Sequence, residues 1–174
     1  MSCVSQPAKR GLSGKLIAYL IGIIWLAFSA CSPQVEPIRF GNDMCVYCKM
    51  MISDTRFGAA LLTAKGKTYK YDSVECMAAY FLEERVAQSD IHSMWVIDFD
   101  HPEKLIDAQT AVYLESEALH SPMGLNLSAF SGESQARKME KIHPGNIKTW
   151  LKVQNLVESQ WLSKHKQGTL PEIK

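Results

Sequence analysis

Apolar residues fall in blocks whose length and period change along the chain. The first block, Leu16 to Phe28 (LIAYLIGIIWLAF), runs uninterrupted for 13 residues. A membrane-spanning helix needs about 20, so this run has the length of a signal-peptide core. Phe57 to Ala64 (FGAALLTA) predicts a buried strand, Lys65-Gly66-Lys67 a turn, and Thr68 to Tyr71 a partner strand in which polar and aromatic residues alternate. Asp72 or Ser73 then caps a helix. Val74, Met77, Ala78, Phe81, Leu82 and Val86 recur at helical spacing and carry it to about Gln88. The first half therefore reads strand, strand, helix.

The second half repeats that order at low resolution. Met94 to Phe99 (MWVIDF) is rich in strand formers, and Asp100 to Lys104 turns at Pro102. Leu105 to Ala108, Ala111 to Leu114 and Leu125 to Phe130 predict further short strands. Ser121-Pro122-Met123-Gly124 is turn chemistry. Ser131 caps a predicted helix through Lys141, which Pro144 and Gly145 stop. A terminal amphipathic helix is expected from about Asn146 to Lys164, with Ile147, Trp150, Leu151, Leu156, Val157 and Trp161 on its face.

Charge sharpens the reading of the N-terminus. The chain has 174 residues and a net charge of +1, but its first 30 residues carry only Lys9, Arg10 and Lys15. Without them, 16 Lys and Arg face 18 Asp and Glu, a balance of −2. No basic footprint for nucleic acid remains. A basic start, a short apolar core and Ser29-Ala30-Cys31 together resemble a bacterial lipoprotein signal. The Cys31 sulfur would then take a diacylglycerol and hold the chain on the membrane. An ordinary secretory signal and an uncleaved anchor are the alternatives, and each places the remainder outside the cytoplasm. The expected organisation is a signal peptide over 1–30, a lipidated tether over 31–40, a binding domain over 41–145, and a C-terminal helix and tail over 146–174.

The chemistry concentrates in Cys45-Val46-Tyr47-Cys48-Lys49-Met50-Met51. Two thiols lie at a two-residue gap, and a thioether follows the second. Zinc prefers four thiolate or imidazole ligands, and the sequence offers no second Cys-x-x-Cys to complete them. Copper(I) is soft and accepts thiolate together with thioether. Three readings stay open on these residues alone: a copper(I) site, a Cys45–Cys48 disulfide or redox pair, and a structural zinc site. Lys49 would add positive charge beside a thiolate. Cys76 reads as a buried small hydrophobe that could also face the loop and pair with Cys45. Met77 and Met139 read as core or helix-face residues, and Met44 as a weak ligand. Of the scattered histidines, His120 is the first to test, because Met123 follows three residues later.

The Cys-x-x-Cys-x-Met motif with Ile52, then Phe57-Gly58-Ala59, Tyr71-Asp72-Ser73, Ser121-Pro122-Met123-Gly124 and Ala129-Phe130, resemble in order and spacing the nitrous oxide reductase accessory lipoprotein family (NosL). The resemblance covers roughly residues 40 to 140. It implies an α+β fold of two small ββα-type halves, related to part of organomercurial lyase, here with an added C-terminal helix. It implies a copper(I) chaperone, not an enzyme, that delivers copper to the extracytoplasmic copper centres of nitrous oxide reductase. The family pattern gives a thiolate ligand at Cys48 and a thioether at Met50, with Cys45 and Met123 as further candidates. The family commonly has Pro and Gly in the motif, where this chain has Tyr47 and Lys49. The rival functions are a thiol-disulfide oxidoreductase cycling Cys45 and Cys48, and a structural metal-bound interaction module.

Overall fold

Seven short strands and three helices build two antiparallel sheets in the computed structural model, which describes residues 32–163. The predicted signal segment with Cys31, and the chain beyond residue 163, lie outside the described residues. The first sheet has the order β2-β1-β3-β4, from β1 (Ala59–Thr63), β2 (Thr68–Tyr71), β3 (Ile91–Ile97) and β4 (Leu105–Asp107). The second has the order β6-β5-β7, from β5 (Val112–Glu115), β6 (Leu127–Phe130) and β7 (Asn146–Lys148). Helix α1 (Val74–Leu82) follows β2, α2 (Glu133–Ile142) follows β6, and α3 (Trp150–Val157) follows β7. The expected α+β class stands, and β1-β2-α1 and β5-β6-α2 are the two ββα units. Each is extended: β3 and β4 complete the first sheet, and β7 the second.

Every residue of β1 is buried because its two faces are covered by different things. The ladder aligns Ala59 and Leu61 with Tyr71 and Tyr69 on one side and with Val96 and Met94 on the other. These residues pack into the main core with α1 and α3. Leu62, on the opposite face, shares a small surface cavity with Pro33, Gln34, Val35 and Trp95. Within the segment expected as a tether, the chain from Pro33 onward lies along the sheet, and the Glu36 N–H donates to Thr68 Oγ1 at 3.2 Å. The second sheet divides likewise. Tyr113, Leu127 and Ala129 join the main core, whereas Leu114 and Phe130 pack with Ala136 of α2 in a second cluster.

Two helix predictions needed correction. The first helix ends at Leu82, well before Gln88. Glu84 takes φ +50° and turns the chain, and the apolar Val86 lies beyond the helix. The terminal helix starts at Trp150, because Asn146 to Lys148 pair with Glu115 to Tyr113 as β7. Gly145 permits this pairing: a Cβ there would collide with the Glu115 carbonyl oxygen. The helix continues through a π-helical turn, Glu158–Leu162.

Candidate metal centre

The motif folds as a small hairpin. Ile52 N–H donates to the Asp43 carbonyl at 3.0 Å and Cys45 N–H to the Met50 carbonyl at 2.8 Å, flanking a bridge between Met44 and Met51. At the tip, Lys49 N–H closes on the Cys45 carbonyl at 3.0 Å. Lys49 sits at φ +64°, a conformation that glycine adopts without cost. Two contacts fix the hairpin to the first sheet. Val46 N–H donates to the Lys70 carbonyl at 3.0 Å, and the buried Asp43 carboxylate accepts from Lys70 Nζ at 2.7 Å and from the Arg39 guanidinium. Burial alone would raise the Asp43 pKa, but the Arg39 and Lys70 hydrogen bonds outweigh it and hold the carboxyl well below its usual range.

Strand alternation gives each hairpin residue a side. Asp43, Cys45 and Ile52 are buried, while Met44 and Met51 between them are exposed. The inward Cys45 meets the start of α1. There Cys76 is the third helical residue, and the sulfurs of Cys45, Cys48 and Cys76 all lie within 4.8 Å of one another. All three are free thiols. A trigonal metal–thiolate site with bonds of about 2.3 Å needs sulfurs about 4 Å apart, so a small contraction would bring the three onto one ion.

The surroundings favour one negative sulfur. The Cys76 thiol donates to Cys45, and this exceeds the opposing effect of burial. Backbone N–H groups of Cys48, Asp72 and Tyr47 add to it and bring the Cys45 pKa down to about 5. The Cys48 N–H lies 3.4 Å from the Cys45 sulfur. Cys76 moves strongly upward, as donor to Cys45 and through burial, and Cys48 is raised by burial. Asp72 is pushed up to about 6 by burial and by the Cys45 charge. The pocket is thus a buried anion with two protonated thiols beside it, an arrangement that suits a soft cation. The Lys49 ammonium, expected to supply that electrostatic help, instead caps the Val46 carbonyl at 2.7 Å.

The other predicted residues distribute unevenly. Met50 stands on the hairpin and is exposed. Met123 is half-buried and packs against the core cluster that contains Cys45 and Cys76. Its turn is tied to α1, since Ser121 Oγ donates to the buried Glu75 carboxyl and accepts Asn126 N–H at 2.9 Å. His120, His92 and His101 are exposed, and no histidine joins the thiol cluster among the described residues. Cys76 occupies an apolar helix position and reads first as packing; of its two expected roles, the structure realises the one that faces the loop beside Cys45. Trp161 was missed; its ring lies 5.7 Å from that of Tyr47, between the two motif cysteines.

Three thiols shared between a hairpin tip and a helix start, on paired antiparallel sheets, define a small α+β protein with a soft-metal pocket. The NosL family model matches residues 39–157, and the chain belongs to that family. It is 29% identical over 148 residues to a protein of Stutzerimonas stutzeri described as copper-binding lipoprotein NosL, covering 78% of this chain and 76% of the relative. Its fold matches the crystal structure of the copper chaperone NosL from Shewanella denitrificans, with a TM-score of 0.57 at 20% identity, over 67% of this chain and 92% of that one.

Proposed function

We propose that the chain is a copper(I) chaperone of the cell envelope, held on the membrane through acylated Cys31. Copper(I) is its cargo, and nitrous oxide reductase its recipient. The three-thiol pocket carries this reading. Its sulfurs are soft donors, one is already anionic near neutral pH, and no fourth Cys or His among the described residues closes a zinc site. Cys48 and Cys45 hold the ion from the hairpin and Cys76 from α1. Met50, exposed beside them, supplies the exchangeable thioether through which a recipient's ligand enters. Met123 is the reserve ligand, on a turn fastened to the helix that carries Cys76. Release is ligand exchange, so no bond is made or broken in a substrate.

Competition for copper(I) against a chromophoric chelator, with the full-length chain in detergent micelles, tests the site. Cys48→Ser and Cys76→Ser should each weaken copper(I) binding by at least ~10-fold, and Met50→Leu should chiefly slow release. X-ray absorption of the loaded chain should show a sulfur-only first shell. Variants that bind as tightly as the parent would overturn the assignment. The recipient is tested by mixing the loaded chain with copper-free nitrous oxide reductase; recovery of its copper-cluster absorption is the expected result.

A further inference from the structure

Resting on the copper(I) reading, the geometry points to a second, weaker copper(I) site on the outer face of the hairpin, formed by the thioethers of Met44 and Met51. Large apolar side chains are rarely left in water without a reason when they cluster. Among the described residues only Met44, Met50, Met51, Ile142 and Leu151 are large hydrophobics left exposed. Three of these five are methionines within eight residues of one hairpin. Met44 is 59% and Met51 55% exposed.

The ladder brings the two together. Cys45 N–H donates to Met50, and Ile52 N–H to Asp43, so the Met44–Met51 bridge sits between those two bonds. That makes it a non-hydrogen-bonded antiparallel pair, in which Cα atoms approach to about 4.5 Å and the side chains leave the ladder on the same face. Two flexible thioethers so placed can meet on one ion. They carry no charge and face solvent, so they hold copper(I) less firmly than the buried thiols do. Their position relative to the main pocket is also set by alternation. Cys45 points inward from one neighbouring position, and Met50 stands directly across from Cys45. Met50 is therefore the chain neighbour of the outer pair and the cross-strand neighbour of the inner thiol. An ion captured outside can be passed by thioether exchange through Met50 to the thiols, and handed back by the same path. Each step exchanges one sulfur for another at an unchanged copper(I), with no electron transferred.

The test uses the full-length chain in micelles, labelled at the methionine methyl groups and titrated with silver(I), a redox-inert stand-in for copper(I). The first equivalent should move the Met50 methyl resonance, and the second should move those of Met44 and Met51 together. Met44→Leu/Met51→Leu, both at exposed positions, should abolish the second step and leave the affinity of the first within ~2-fold. A Cys45→Ser/Cys48→Ser/Cys76→Ser chain should lose the tight step yet keep the paired Met44 and Met51 shift. The proposal is overturned if the second equivalent leaves both resonances unmoved, or if the double leucine chain takes it as tightly as the parent. Failure of the tight step alone in the parent chain would count against the thiol pocket and not against the outer pair.

Discussion

Cys45 draws its acidity from donors aimed at its sulfur. The Cys76 thiol and three backbone N–H groups overcome the cost of burying a charge and leave it a thiolate above about pH 5. Cys48 and Cys76 shift the opposite way and stay protonated at neutral pH. Metal binding must displace whatever protons the ligands still hold. If all three sulfurs bind, copper(I) loading at pH 7 should release two protons per ion, one each from Cys48 and Cys76. Below pH 5, where Cys45 has also taken up its proton, the release should rise toward three and the affinity should fall. Proton release into a weakly buffered dye solution measures this; a value of one at pH 7 would mean that only one of the protonated thiols binds.

The hairpin is the element that turns a sequence motif into a site. Its tip requires the left-handed conformation at Lys49. That conformation costs a side chain about 1–2 kcal/mol, against about 0.5–1 kcal/mol of extra unfolded-state freedom for glycine. Lys49→Gly should therefore leave stability within about 1 kcal/mol of the parent, whereas Lys49→Val should lose about 2 kcal/mol, since a β-branched residue fits this region worst. Urea unfolding of the two variants checks the difference. The same geometry explains why the Lys49 charge has a different task from the one expected of it. It caps a carbonyl of its own turn. Most strands were legible, because alternation and turn residues are local properties. β7 was not: Asn146 to Lys148 has the composition of a helix start, and it becomes a strand only because the edge of β5 is open beside it.

Across the whole molecule, α3 joins the two ββα units. The Trp150 ring lies 6.3 Å from Phe81 of α1 and 6.3 Å from Tyr113 of β5, and Val153 and Val157 are fully buried. The terminal helix, which in sequence is only an amphipathic addition, is thus part of the core. Trp150→Ala should cost about 3–5 kcal/mol by large-to-small truncation. It should also loosen the site, because α1 carries Cys76 and packs on α3. Denaturant unfolding measures the first effect, and copper(I) competition the second. The sequence by itself determined the α+β class, pointed to the family, and put the sulfurs of Cys45, Cys48 and Met50 on one short segment. The class and the sulfur cluster rest on periodicity and on spacing within a few residues, and the family on a resemblance in motif order over roughly residues 40 to 140. Only the tertiary structure decided that Cys76 stands with Cys45 and Cys48, and that Trp161 closes on Tyr47. These are contacts between residues far apart in the chain, fixed by how the sheets and helices bury their apolar faces, and no local pattern encodes them.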